Sequence, residues 1–171
     1  MAIIYLSVGS NVEPARHIKA GLQTLQQHYG ELCLSAVYES PAVGFDGDNF
    51  YNLVLSFHSD EKPVTVAENL RRIEEKHGRV RGSHRFDSRT LDLDLILYDD
   101  LILNSAKLNL PRDEILKYAF VLAPLAELAP ELKHPVTAQT YRDLWENFAK
   151  PEQSIWKIAI DLAPKTSLRF P

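Results

Sequence analysis

Two aspartates alternate with leucines in the stretch TLDLDLILY, which covers residues 90–98. Side chains alternate between the two faces of a β-strand, so Asp92 and Asp94 would share one face with Cα atoms about 6.6 Å apart. Mg²⁺ is commonly bound by one or two carboxylates, with water and substrate phosphates supplying its other oxygen ligands. The pair therefore predicts a site for hard divalent cations, two of which about 3.5 to 4 Å apart form a recurrent clamp in phosphate chemistry. The alternative is an amphipathic strand whose acidic face meets water.

Four arginines lie just upstream of this strand, at positions 79, 81, 85 and 89. Arginine offers planar, two-pronged donors that match phosphate oxygens. Phosphoryl transfer needs such cations together with metal-binding acids, because charge on the transferred group must be neutralised. The combination predicts a phosphate-handling site, whereas the arginine run alone could also be a solvated loop paired with surface acids. No G-x-x-x-x-G-K-[ST] motif occurs, which excludes a P-loop as the phosphate site.

The composition limits the classes of protein to which the chain can belong. Its 171 residues, 45% hydrophobic and 25% charged, predict one ordinary globular domain over residues 1–171 that needs no disulfide or structural metal. A net charge of −4 argues against a nucleic-acid partner, since that affinity comes mostly from excess positive charge. No apolar run is long enough to span a membrane, and the single cysteine, Cys33, suits a reducing compartment. We therefore expect a cytoplasmic protein without a membrane partner.

The elements that position the acid pair can be predicted from hydrophobic spacing and from Pro and Gly signals. The predicted order up to the acid pair is strand 2–8, helix 14–29, strands 31–40 and 50–59, helix 63–77 and strand 90–98. This order predicts an α+β fold with a ferredoxin-like βαββαβ core, an antiparallel sheet with helices on one face. Downstream we expect extended structure at 101–110, a helical stretch 113–128 interrupted by Pro124, a helix 140–149 and a strand 154–160.

The segment GRVRGSHRFDSRTLDLDLILYDD strongly resembles the signature of the 6-hydroxymethyl-7,8-dihydropterin pyrophosphokinase family. Further segments resemble the same family in the same order: YLSVGSN, YESPAVGFDGDNFYN and YAFVLAPLAELAPEL. The similarity covers roughly residues 3–135, and the last 35 or so residues carry no usable motif. The resemblance implies a single pyrophosphokinase domain that transfers the pyrophosphoryl group of ATP to the hydroxymethyl group of the pterin. The products would be the pterin diphosphate and AMP, in folate biosynthesis.

The resemblance also implies which residues form the site. Two Mg²⁺ ions would be bound by Asp92 and Asp94, which with Arg81 and Arg89 would form the catalytic set. The implied contacts to ATP are Glu74, Arg81, Phe86, Arg89, Ile96, Lys107, Asn109 and Arg112. The implied contacts to the pterin are Ser40, Pro41, Val43, Phe50, Asn52 and Phe120, together with the two aspartates. On the residues alone, Phe50 and Phe120 fit a hydrophobic core, and only the resemblance makes them the two faces of a slot for a flat heterocycle.

Three positions downstream of the acid pair depart from the family pattern. Arg112, Asp113 and Tyr118 stand where the family usually has a histidine, an aromatic or basic residue, and an arginine. Two expected nucleotide contacts are thus altered, while the acid pair and the pterin residues are intact. The alternatives left open are a kinase of the same fold with another acceptor and a non-catalytic ferredoxin-like binding module. The latter would bind no ATP in a Mg²⁺-dependent way.

Overall fold

The structure is a computed structural model that describes residues 1–78 and 90–162 and the backbone of residues 168–169. Its elements are β1 (Ala2–Ser10), α1 (Pro14–Tyr29), β2 (Leu32–Leu34), β3 (Val37–Ser40), β4 (Phe50–Ser59), α2 (Pro63–Lys76), β5 (Asp92–Tyr98), β6 (Leu103–Asn104), β7 (Asn109–Leu110), α3 (Glu114–Lys117), α4 (Ala119–Leu128), α5 (Tyr141–Glu146), β8 (Trp156–Ile158) and β9 (Leu168–Arg169). None of the helices in the described ranges is long and apolar enough to cross a membrane.

Strand β1 is an internal strand of the main sheet, whose order is β5-β1-β4-β2-β9. It pairs antiparallel with β4 on one side and with β5 on the other. Strands β2 and β3 both pair with β4, so together they fill the place of the second strand of a βαββαβ unit. This topology confirms the predicted ferredoxin-like core, with added C-terminal helices and strands.

The strand expected over residues 31–40 is divided into β2 and β3. Ser35 occupies the break, where its backbone N–H donates to the Val54 carbonyl at 2.9 Å and its Oγ accepts from the Val54 N–H at 3.0 Å. The serine side chain thus replaces a backbone carbonyl in the ladder, so β4 loses no hydrogen bond where its partner bends.

Helices α1 and α2 cover one face of the sheet. Each begins with a proline, whose fixed φ suits a first helical turn. Their apolar stripes are buried against the side chains of β1, β4 and β5 that point to this face. The residues of the stripes are Ile18, Leu22 and Leu25 in α1 and Val66, Leu70 and Ile73 in α2. The helical spacing read from the sequence therefore matches the observed burial.

Helices α3, α4 and α5 pack against the opposite face, beside Val54, Ile96 and Leu97 of the sheet. The prediction that Pro124 interrupts the helix is wrong, because Pro124 lies inside α4 and is buried there. The chain breaks instead at Tyr118, which is extended with φ −123° and ψ 126°. Pro124 has no N–H to donate to the carbonyl of residue 120 in the first turn of α4. The helix nevertheless continues past it to Leu128. Lys150 and Gln153, which lie far away in the sequence, bond to the backbone on the two sides of Tyr118.

Candidate functional site

A cavity of about 320 Å³ lies between the sheet and the segment formed by α3 and α4. Ten of the predicted site residues line it: Ser40, Pro41, Val43, Phe50, Asn52, Asp92, Asp94, Ile96, Arg112 and Phe120. Six further lining residues were not predicted: Ser7, Gly9, Phe45, Glu114, Tyr118 and Val121. The fold thus brings the acid pair and the predicted pterin contacts into one cavity.

The strand register explains why Asp92 and the Asn52 amide lie on the same face of the sheet. Gly9 of β1 pairs with Asn52 of β4 on one side and with Asp92 of β5 on the other. Paired residues on neighbouring strands point to the same face, so the amide and the carboxylate flank a position without a side chain. A Cβ at Gly9 would lie 3.1 Å from Asn52 Oδ1. A glycine inside a strand marks such a close approach, which is the signal that could have identified it from the sequence.

The acid pair has the alternating arrangement expected of a strand. Leu91, Leu93 and Leu95 are at most 5% exposed, whereas Asp92 and Asp94 are half-buried and line the cavity. Among the described residues no group of three or more His, Cys, Asp or Glu side chains could hold a metal ion. A pair of adjacent carboxylates nevertheless fits Mg²⁺, which takes its remaining ligands from water and substrate phosphates.

Arg112 brings a positive charge to the acid pair. Its Nε and Nη2 donate to the Glu114 carboxylate at 3.2 and 2.9 Å, and Nη2 lies 3.8 Å from Asp94 Oδ1. The backbone N–H of Arg112 donates to the Ile96 carbonyl at 3.0 Å. The register between β1 and β5 shifts at this point, which leaves Ile96 as an extra residue in β5. The bulge therefore helps to place Arg112 beside the cavity.

The opposite part of the cavity is aromatic with one buried amide. Asn52 is 4% exposed, and its Nδ2 donates to Ser40 Oγ at 2.9 Å. Phe50 meets Phe45 edge-on, with ring centroids 6.2 Å apart. Phe120 is stacked on Tyr118 at 5.1 Å with an interplanar angle of 16°. A flat heterocycle gains contact from aromatic faces, and an amide can pair with both donors and acceptors on its edge.

Several predicted nucleotide contacts do not line this cavity. Glu74 is buried on the helix-covered side of β5, where its Oε1 accepts from the Leu93 N–H at 2.7 Å. Lys107 and Asn109 lie in the β6–β7 hairpin, where Asn109 Oδ1 accepts from the Ser105 N–H at 3.0 Å. Three further predicted residues, Arg81, Phe86 and Arg89, lie outside the described residues.

No histidine is among the described residues that line the cavity. His77, expected to be a packing residue, lies with Nε2 3.0 Å from Thr24 Oγ1. His134 is 3% exposed, and its Nδ1 accepts from the backbone N–H groups of residues 136 and 137 at 3.2 Å each. Burial lowers the pKa of both histidines. Both therefore act in packing, away from the acid pair.

Residues 5–130 match the family model for 7,8-dihydro-6-hydroxymethylpterin-pyrophosphokinase, abbreviated HPPK. The chain is 30% identical to the 2-amino-4-hydroxy-6-hydroxymethyldihydropteridine pyrophosphokinase of Aquifex aeolicus, over 92% of this chain and 100% of that protein. It is 32% identical to the protein of the same name from Haemophilus influenzae, over 87% and 94%. Identity to the one from Pseudomonas aeruginosa is 35%, over 77% and 83%.

Solved structures show the same fold. The crystal structure of wild-type Plasmodium falciparum HPPK-DHPS has a TM-score of 0.68 at 14% identity, covering 86% of this chain and 44% of that one. The structure of that protein with pteroate has a TM-score of 0.70 at 13% identity. This chain thus spans less than half of those solved chains, and at such identities the likeness concerns the fold.

Proposed function

The chain belongs to the 7,8-dihydro-6-hydroxymethylpterin-pyrophosphokinase family, and we propose that the cavity beside β5 is where it performs the reaction of that family. The protein is an ATP-dependent pyrophosphokinase of folate biosynthesis. Its acceptor in this proposal is 6-hydroxymethyl-7,8-dihydropterin, which receives the pyrophosphoryl group of ATP on its hydroxymethyl oxygen. The observation that carries the proposal is that one cavity is lined both by the acid pair and by the buried amide and aromatic rings of the predicted pterin contacts.

The pterin would lie in the aromatic part of the cavity. Phe50 and Phe120 would contact the two faces of its ring system, and the buried amide of Asn52 would pair with donors and acceptors on its edge. Ser40 fixes the orientation of that amide by accepting from Nδ2. Pro41 and Val43 follow on the same wall. In this proposal the aromatic part of the cavity recognises a flat molecule with a polar edge through uncharged contacts alone.

The phosphates of ATP would lie at the acidic part of the cavity. We propose Asp92 and Asp94 as ligands of two Mg²⁺ ions, which their half-exposed position on one face of β5 supports. Arg112 would bind a phosphate oxygen, because its guanidinium lies beside Asp94. Ile96 lines the cavity as a further proposed ATP contact. The remaining ATP contacts are proposed from the family resemblance alone: Arg81, Phe86 and Arg89, and, outside the cavity, Glu74, Lys107 and Asn109.

The reaction forms one phosphorus–oxygen bond and breaks another, and the acceptor hydroxyl loses its proton. The hydroxymethyl oxygen of the pterin bonds to the β-phosphorus of ATP, the bond from that phosphorus to the α,β-bridging oxygen breaks, and AMP leaves with that oxygen. The hydroxyl proton is released. The chemistry that Mg²⁺ supplies when bound is charge neutralisation on the phosphates and a lower pKa of the acceptor hydroxyl. The chain's own contribution is to hold the two substrates in line, which the shared cavity allows.

We also propose that the whole chain forms one domain and works in the cytoplasm. The first proposal is supported by the pairing of β8 with β3 and of β9 with β2, which joins the C-terminal residues to the main sheet. The second is supported by the single cysteine, which cannot form a disulfide within the chain.

Product analysis tests the proposed reaction. Purified protein is incubated with ATP, Mg²⁺ and 6-hydroxymethyl-7,8-dihydropterin, each component is omitted in turn, and AMP, ADP and pterin phosphates are resolved by chromatography. We expect equal amounts of AMP and pterin diphosphate, and neither without pterin or Mg²⁺. Formation of ADP would mean transfer of a single phosphoryl group. Turnover without Mg²⁺, or none with all components present, would also contradict the proposal.

A further inference from the structure

Residues 150–158, here called the C-terminal clamp, lie outside the range 5–130 that matches the family model. The clamp nevertheless contacts both walls of the cavity. Its first part, Lys150 and Gln153, bonds to the junction between α3 and α4. Its second part, β8, adds a strand to β3. Neither contact could be foreseen from a motif, because the clamp carries none.

Gln153 bonds to the backbone on both sides of Tyr118. Its Oε1 accepts from the Ala119 N–H at 2.8 Å, and its Nε2 donates to the Lys117 carbonyl at 2.9 Å. The same carbonyl accepts from Lys150 Nζ at 3.0 Å. Tyr118 is extended, so the chain leaves one helix and enters the next at this residue. One amide side chain therefore satisfies the last carbonyl of α3 and the first N–H of α4, which a helix end leaves without a partner.

The junction carries the aromatic wall. Tyr118 and Phe120 both line the cavity and are stacked with an interplanar angle of 16°. Tyr118 lies directly between the two backbone groups that Gln153 binds, and Phe120 follows in the first turn of α4. A shift of this junction would move both rings together. A residue that does not itself line the cavity thus bonds to the backbone from which both rings project.

The clamp also supports the opposite wall. Trp156 of β8 pairs with Glu39 of β3, and its Nε1 donates to Glu39 Oε2 at 3.1 Å. Glu39 Oε1 accepts from Asn49 Nδ2 at 3.2 Å, which ties the two ends of the loop between β3 and β4. Lys157 Nζ lies 3.0 Å from Glu127 Oε2 on α4. One segment therefore bridges the strand that carries Ser40 and the helix that carries Phe120.

We propose that Gln153 is a positioning residue for the pterin: it holds Tyr118 and Phe120 at the distance from β4 that a flat ring requires. This inference rests on the proposed function, since it assigns Phe120 to one face of the acceptor. We expect Gln153 to act on binding of the acceptor more than on binding of the nucleotide, because it bonds to the backbone N–H directly before Phe120. The loss of an interaction made equally in ground state and transition state raises KM and leaves kcat unchanged.

The test compares Gln153→Ala with Gln153→Glu and with Glu152→Ala, a control at an exposed position of the same turn. Steady-state kinetics gives KM for pterin and for ATP separately, calorimetry gives the pterin dissociation constant, and thermal unfolding gives Tm. We expect Gln153→Ala to raise the KM and dissociation constant for pterin roughly tenfold, as for a lost hydrogen bond that leaves a backbone N–H unpaired. The KM for ATP and kcat should change less than about twofold. Gln153→Glu keeps the acceptor for the Ala119 N–H, so its values should lie between those of the wild type and of Gln153→Ala.

Each failure has its own signature. A lower Tm with reduced kcat and both KM values unchanged would mean that Gln153 only stabilises the fold, and would overturn the inference. An active wild type with an unchanged pterin KM in Gln153→Ala would overturn it as well. A wild type that neither binds nor converts the pterin would overturn the proposed function and this inference with it.

Discussion

The guanidinium of Arg112 is bound in a fork by the carboxylate of Glu114, with Nε–Oε2 and Nη2–Oε1 distances of 3.2 and 2.9 Å. The fork fixes the plane of the guanidinium and leaves the side chain about one third exposed, 3.8 Å from Asp94. A planar cation held beside an acid pair that we propose to bind Mg²⁺ is suited to a phosphate that must approach that metal. Arg112 stands where the family pattern usually has a histidine, so a permanent charge lies at a position where a titrating one is usual.

Replacing Arg112 tests this role. Arg112→Ala should raise the KM for ATP roughly tenfold, because charge-assisted hydrogen bonds to phosphate are worth about 1.5–3 kcal/mol and partial exposure reduces that value. The KM for ATP of Arg112→Lys should lie between those of the wild type and of Arg112→Ala, since lysine keeps the charge but not the two-pronged geometry of arginine. Lys117→Ala is the control, because the Lys117 side chain is 58% exposed and pairs with Asp113 outside the cavity. An ATP KM that is unchanged in Arg112→Ala would remove this residue from the nucleotide site.

The acid pair should be essential for turnover and dispensable for folding. Asp92→Asn and Asp94→Asn should each lower kcat/KM at least about 100-fold, because metal-bound charge stabilisation is worth several kcal/mol. Tm should change little, since both side chains are half-exposed and lie outside the two hydrophobic clusters. Asp100→Asn, at an exposed acid just beyond β5, is the matched control. Near-normal turnover in both variants would mean that the acidic face of β5 merely meets water.

The sequence was sufficient for features that depend on local spacing. The alternation around Asp92 and Asp94 needs only the period of a strand, and the helix over residues 14–29 only a proline start and an apolar stripe. The ferredoxin-like order followed from these elements. The resemblance to a family then supplied the proposed role of Asn52, whose burial beside Ser40 no local pattern indicates.

What could not be predicted depends on contacts between distant residues. Pro124 is a local breaker, yet the helix breaks at Tyr118, where Gln153, thirty-five residues further on, binds the flanking backbone. Glu114 lines the cavity two residues after Arg112, whose backbone N–H bonds to Ile96 at the bulge of β5. Neither effect leaves a periodic signal in the sequence.

Gly9 offers a test of the pterin pocket that leaves its polar groups in place. In Gly9→Ala the new methyl group would lie 3.1 Å from Asn52 Oδ1, so the amide must move by a few tenths of an ångström. We expect a pterin dissociation constant about threefold to tenfold higher, with the KM for ATP unchanged, measured by calorimetry and steady-state kinetics. Asn52→Ala should weaken pterin binding further, because it removes the amide and leaves Ser40 without that partner. Wild-type pterin affinity in both variants would place the acceptor elsewhere.

His134 should make the stability of the fold depend on pH below neutrality. Its Nδ1 accepts hydrogen bonds from two backbone N–H groups, which requires the neutral ring. The residue is 3% exposed, and burial lowers its pKa. The pKa of His77 is lowered in the same way. The unfolded chain therefore binds more protons than the folded one below the ordinary histidine pKa of about 6.5, so the free energy of unfolding should fall as pH drops from 6.5 to 5.

Urea unfolding followed by circular dichroism at pH 5 to 8 measures this dependence. The slope contributed by each histidine is at most about 1.4 kcal/mol per pH unit, and above pH 7 the contribution of both should vanish. His134→Asn keeps an acceptor for the two N–H groups but cannot be protonated, so its slope between pH 6.5 and 5 should be smaller, with the remainder due to His77. His58→Asn, at an exposed position of β4, should keep the wild-type slope. A His134→Asn slope equal to that of the wild type would show that the buried ring is not what couples folding to protons here.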